Sequence, residues 1–159
     1  MKTATLVGQD NWFENFRPGD VWKHARGKTV EPLEQVLITN MVMNTASSHF
    51  DEHQMKDSPW GKRIAFGGVT ISLVIGLAAQ DTAEHALAEL GMDKIRLKSP
   101  VFHGDTLYAW SEVLKTEDSA QPDAGIVTFR HHGTNQRDQI VFEGERRVLL
   151  KRRSHWANR

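Results

Sequence analysis

A chain of 159 residues fits one domain and is long enough to bury a core. Its 20 basic and 20 acidic residues balance to a formal charge of +0, leaving no basic field for nucleic acid and no acidic field of a disordered, solvating chain. With no cysteine, disulfide frameworks, thiolate nucleophiles and zinc–cysteine sites are excluded, which fits a cytoplasmic protein.

The N-terminus "MKTATLVGQDNWF" lacks the apolar core of a signal peptide. Residues 1–26 read as an irregular arm turning at "RPGD", with Trp12, Phe13, Phe16 and Trp22 supplying apolar surface to pack on the body. A first helix is expected from Glu31, with Pro32 in its first turn, a cap at or near Thr29, and Leu33, Val36, Leu37 and Met41 on one face. Residues 45–66 are mostly polar and broken by "DSPWG", so they read as an ordered loop with about one helical turn. The clearest helix is expected over about 68–89, apolar nearly all round at first and therefore buried, and stopping at Gly91 as a C-terminal cap. Its stretch "VTISLVIGLAA" is about half a membrane span and interrupted by polar residues. Strands are expected over 93–99 and 106–116, separated by the turn "PVFHGD". A long hairpin follows from "IVTFRHH" to "IVFEGERRVLLKRR". The whole is one α+β domain spanning 1–159, an antiparallel sheet wrapped around one helix, ending in a solvated basic tail at 154–159.

The chemistry gathers in "NTASSHFDEHQMKDSPWGKRIAFGG", residues 44–68. His49 and His53 are four apart, a spacing that can share one helical face. Asp51 and Glu52 cannot join that face, and "HFDEH" is not the "HExxH" of zinc proteases, so a metal site is disfavoured. A water-activating histidine suits the stretch better, because imidazole exchanges protons near neutral pH. Asn44 could hold the attacking water or a substrate carbonyl. Asp51 could orient the imidazole or cap the next turn. Gly67 and Gly68 open the buried helix, where free N–H groups and the positive helix end converge without a Cβ in the way, a ready oxyanion hole for a thioester or similar carbonyl.

The order of these features resembles the MaoC-like hot-dog hydratases, which include the (R)-specific enoyl-CoA hydratases. It runs helix, Asn/Asp-x-x-x-x-His-x-Asp, loop, Gly-Lys/Arg and glycine entry to a buried helix. "SPVFHGDTLYAWSEVL" is similar to the family's "PV-x-x-GDTL" hairpin and "GTNQRDQIVFEGERRVLLKRR" to its closing strand pair, so the resemblance covers about Arg17 to Arg153. Within the family, "GKTVEPLEQVLITNMVMNTASSHFD" is most similar to the mesaconyl-CoA hydratase or methylmalyl-CoA dehydratase branch. The resemblance implies a hot-dog fold, normally dimeric with higher oligomers left open, and reversible addition of water across the 2,3-double bond of a short acyl-CoA. It implies no cofactor beyond the coenzyme A of the substrate, while the charge balance speaks against nucleic acid and the short apolar stretch against a membrane.

The family's catalytic pair is an Asp and a His five residues apart. His49 fills the second place, but Asn44 stands in the first, and Ala46 and Ser47 replace the Asn and Pro that usually follow. Asn cannot act as a carboxylate base, so either His49 alone moves the proton or Asp51 supplies the missing charge. Gly67 remains suited to the oxyanion. Gly68 and Ser72 are expected beside the substrate, Ser72 otherwise bonding back to its own helix. Lys62 and Arg63 are expected near the coenzyme A phosphates. Arg130, Arg146 and Arg147 are weaker choices, and His131 and His132, on opposite faces of a strand, receive no role. Two other readings stay open: a hot-dog thioesterase, and a non-catalytic acyl-CoA-binding subunit.

Overall fold

In the computed structural model residues 1–3 and 11–158 are described; 4–10 of the expected arm and Arg159 of the basic tail lie outside them. The strands are β1 (Lys2–Thr3), β2 (Val21–Thr29), β3 (Ala86–Leu97), β4 (Thr106–Asp118), β5 (Ala124–Thr134) and β6 (Ile140–Lys151). The helices are α1 (Pro32–Met41), α2 (Ser47–Phe50), α3 (Glu52–Met55), α4 (Gly67–Ala83) and α5 (Arg153–Trp156). The strands form one sheet in the order β1-β2-β4-β5-β6-β3, antiparallel except where β1 runs parallel to β2. Helix α4 lies against β2, β4, β5 and β6, so the expected sheet-around-helix arrangement is what forms.

Strict alternation makes this possible. Leu107, Ala109, Ser111 and Val113 of β4 and Val127, Phe129, His131 and Gly133 of β5 all turn inward and are buried. Leu107 and Ala109 among them pack in one cluster with Val74 of α4. Gly133 is required by that approach, since a Cβ there would run into the Val74 side chain. One apolar cluster gathers Val30, Val74, Val101, Leu107, Val141 and Phe142; a second gathers Phe16, Val113, Val127, Phe129, Val148 and Leu150.

A polar chain is built into this core. His24 Nδ1 lies 2.7 Å from Asp81 Oδ2 on α4, and His24 Nε2 lies 2.7 Å from Ser111 Oγ. Ser111 Oγ in turn lies 2.6 Å from His131 Nδ1. Ser111 and His131 are directly opposed across β4 and β5, which fixes their contact. Arg146, also buried, reaches Thr82 of α4 and pairs with Glu89 of β3.

Several expectations are corrected. Helix α4 ends at Ala83 rather than near 89, and "ALAEL" opens β3. Those residues favour helix locally, but pairing with β6 and the Glu89 partner for the buried Arg146 guanidinium outweigh propensity. Gly91 is accordingly no helix cap; it sits at a register shift in β3 with φ +151°, a conformation open to glycine. The arm is not irregular to residue 26, because β2 begins at Val21, although Trp12 and Phe16 do bury themselves in the body. Thr29 does not cap α1: its hydroxyl meets Thr106 across the sheet, and Glu31 occupies the cap position. The tail folds back as α5, with Trp156 Nε1 donating to the Asp123 carbonyl. The apolar stripe of α1 faces outward, Leu33 and Met41 being 69% and 81% exposed, while Gln35 and Thr39 turn in.

His131 and His132 do point to opposite faces, inward to Ser111 and outward onto the Trp110 ring at 3.7 Å. Burial pushes His131 well below the ordinary histidine range, with the Arg146 charge adding to it, and burial lowers His132 as well. Both bind a proton less readily in the fold than in the unfolded chain, which takes them up below about pH 6.5. Stability is therefore complete above that pH and falls on acidification, by up to about 1.4 kcal/mol per pH unit for each histidine, until the folded-state values are passed. Urea midpoints measured between pH 7 and 5 should drop accordingly, and His132→Phe, which keeps the ring stack, should flatten the slope by one proton. An unchanged slope in that variant would mean that His132 takes up its proton over the same pH range in both states.

Candidate functional site

His49 is placed by a reciprocal pair of bonds. The Ile64 N–H donates to the Ser48 carbonyl at 3.1 Å, and His49 Nδ1 lies 3.0 Å from the Ile64 carbonyl. Ile64 is itself held by a bridge to Phe102, and the Ala65 N–H donates to the Val101 carbonyl. The "PVFHGD" turn thus fastens the histidine loop to the entry of α4. A carbonyl oxygen only accepts, so Nδ1 carries a proton and the lone pair of the neutral ring is on Nε2. The Phe66 ring stands edge-on to the imidazole at 5.6 Å.

His49 and Gly67 line one cleft of about 260 Å³, with Trp60, Thr70, Leu97, Lys98, Ser99 and Val101 among its other walls. Gly67 and Gly68 are the first two residues of α4, so their N–H groups have no carbonyl a turn back to bond within the helix. Leu97 overlies Gly67 so closely that a Cβ there would strike its side chain. A histidine and the entry residue of a helix lining one small, largely apolar cleft are the parts needed to activate water beside a polarised carbonyl.

The other expected residues lie elsewhere. Asn44 Oδ1 accepts the Ala46 N–H at 3.0 Å, closing a turn before α2, and Asn44 is not part of the cleft wall. Asp51 caps α3 by accepting the Gln54 N–H at 2.9 Å, so the Ile64 carbonyl orients the imidazole instead. The same cap separates α2 from α3, which puts His49 and His53 on different helices and removes their shared face. Arg63 Nε donates to Glu52 at 2.8 Å, holding that carboxyl below its usual range, and the Lys62 ammonium sits 4.4 Å over the Phe102 ring. Both are near the cleft's rim residues in sequence but outside its walls. Gly68 packs against the Phe66 ring. Ser72 is exposed and lines a separate cleft with Arg26, Lys28, Gly76 and Gln80.

Lys98, Thr70 and Leu97 were missed. Lys98 Nζ lies 3.3 Å from Glu143 at the cleft, where the strand end places a cation that composition alone does not single out. Thr70 was findable, being three residues after Gly67 on the same helical face. His103, in the "PVFHGD" turn, contacts Gln35 Oε1 at 3.2 Å and so ties α1 to this region. Burial, with the Arg63 charge behind it, lowers its pKa.

One sheet curled around one helix, with a histidine loop set against the helix entry, defines a MaoC-like hot-dog domain. The chain matches the family profile described as mesaconyl-CoA hydratase over residues 12–152, and it belongs to that family. It is 34% identical over 132 residues to β-methylmalyl-CoA dehydratase of Chloroflexus aurantiacus, covering 82% of this chain and 37% of that protein. It is 35% identical over 134 residues to mesaconyl-CoA hydratase of Cereibacter sphaeroides, covering 82% and 38%. A solved MaoC domain dehydratase of Chloroflexus aurantiacus superposes with a TM-score of 0.85 at 29% identity, covering 92% of this chain and 46% of that one. The chain thus spans less than half the length of these relatives. Among the described residues no helix is long and apolar enough to cross a membrane.

Proposed function

We propose that the protein is a hydratase or dehydratase acting across the 2,3-double bond of a short acyl-CoA thioester. The observation that carries this is that His49 and Gly67, the first residue of α4, line one cleft. In the hydration direction the Gly67 N–H donates a hydrogen bond to the thioester oxygen as negative charge develops on it. His49 Nε2 takes a proton from water as the oxygen adds at C3, and a proton is returned to C2. With Asn44 engaged in a turn and Asp51 in a cap, His49 is the base without a carboxylate partner. The names of the relatives put mesaconyl-CoA and methylmalyl-CoA at the head of the substrate panel.

The same reading makes the protein a cytoplasmic homodimer. Strand β3 is a sheet edge, and Leu90, Met92, Ile95 and Leu97 along it are exposed, as is the apolar stripe of α1. Purified protein incubated with crotonyl-, mesaconyl- and longer enoyl-CoAs should consume the conjugated thioester absorbance without releasing thiol, and should sediment at twice the chain mass. Thiol release would point to a thioesterase instead. The engagement of Asn44 Oδ1 in its turn favours one alternative, a non-catalytic acyl-CoA-binding subunit. Thermal stabilisation by CoA esters with turnover of none would favour that alternative.

A further inference from the structure

We infer that Thr70 is a second hydrogen-bond donor to the substrate carbonyl, its hydroxyl acting beside the Gly67 N–H; the assignment rests on the function proposed above. Three buried threonines sit in helices, Thr39, Thr70 and Thr82. A buried helical threonine ordinarily donates its hydroxyl to the carbonyl one turn back. Thr39 does so to Gln35 at 2.6 Å and Thr82 to Ala78 at 2.7 Å. Thr70 has the Phe66 carbonyl in the equivalent place, and its own backbone N–H donates to it, yet its hydroxyl makes no bond to it or to any other described residue.

That hydroxyl is not among the polar atoms sealed from solvent, although Thr70 as a whole is only 2% exposed. Thr70 lines the His49 cleft. Lying three residues after Gly67, it shares that helix face, and helical side chains lean toward the N-terminus, so the hydroxyl is directed back toward the first-turn N–H groups. Among the neighbouring walls Ala65, Leu97, Pro100 and Val101 are apolar, the Ser99 hydroxyl already accepts from the Gln139 amide at 3.1 Å, and the His49 imidazole is bonded to the Ile64 carbonyl. A carbonyl oxygen has two lone pairs and gains charge as the thioester becomes enolate-like. Two donors aimed at it from one helix face, in a small apolar cleft, satisfy both lone pairs and leave neither polar group unpaired.

Thr70→Val keeps the shape and removes the hydroxyl; Thr70→Ser keeps the hydroxyl. With the enoyl-CoA that wild type hydrates best, Thr70→Val should lose about 10- to 100-fold in kcat with KM within about threefold, and Thr70→Ser should recover most of the loss. If Thr70→Val does not fold, Thr70→Ala carries the same expectation. A readout independent of turnover is the absorbance of enoyl-CoA bound to the slow variant His49→Ala. Donors on the carbonyl shift that band to the red, and adding Thr70→Val should reduce the shift. Wild-type kcat in Thr70→Val, or an undiminished red shift in the double variant, overturns the assignment while leaving the proposed function intact. A wild-type protein that hydrates none of the panel overturns both.

Discussion

Replacing His49 by alanine is expected to lower kcat for enoyl-CoA hydration by about 10³-fold, near 4 kcal/mol in the barrier, with KM changing far less. The size follows from the site's composition. No carboxylate lies in the cleft wall to take over the proton, since Asp51 is spent on the α3 cap and Glu52 on Arg63. The residual rate would come from carbonyl polarisation by the helix-end donors, which the substitution leaves in place. His49→Gln keeps a side chain of similar reach but no basic nitrogen, so it should be as slow as alanine. Steady-state kinetics on the best enoyl-CoA decide this, and His49→Ala turning over like wild type would remove His49 from the reaction. Stability should fall only modestly, because the lost bond to Ile64 is one of several that hold that segment: its N–H still reaches Ser48 and the Phe102 bridge remains.

The parts of this fold that could be read in advance are those where one strong local pattern had no competitor. The apolar and charged residues alternating in "DKIRLKS" read as a strand, and β3 runs through them to Leu97, while Gly67-Gly68 ahead of an apolar run marks the start of α4. The end of α4 was not readable, because "AEHALAEL" favours helix and what draws it into β3 is Arg146, some 57 residues away in sequence from Glu89. In the site, His49 and Gly67 were legible from their order along the chain. Asn44 and Asp51 were not, since a short polar side chain serves the backbone or the substrate according to local dihedral angles. The group that orients His49 is the Ile64 carbonyl, and a backbone carbonyl carries no residue-type signal. The outward stripe of α1 misled for a related reason: periodicity shows that a helix has an apolar face, and not whether its own domain or a second copy covers it.

Asp81→Ala is expected to remove about 3 to 5 kcal/mol of stability, the cost of stripping one partner from a buried polar pair, and to lower Tm by roughly 10 to 15 °C at this chain length. Asp81 joins α4 to His24 of β2, and through His24 to Ser111 and His131 of β4 and β5. One carboxylate thus organises the contact of the central helix with three strands. Without it the His24 N–H loses its acceptor in the core and the chain's donors and acceptors fall out of register. Asp81→Asn keeps an acceptor oxygen and should cost much less. Ser111→Ala strands His24 Nε2 and His131 Nδ1 together, so its cost should overlap with that of Asp81→Ala. Combined in one chain, the two should destabilise by clearly less than their sum, whereas independent sites would add within about 0.5 kcal/mol. Chemical denaturation of the two single variants and the double measures this directly, and additivity would mean the four side chains are neighbours without acting as a unit. The same set separates stability from catalysis. The polar chain lies outside the walls of the His49 cleft, so folded Asp81→Ala should keep kcat within a few-fold of wild type at a temperature well below its midpoint.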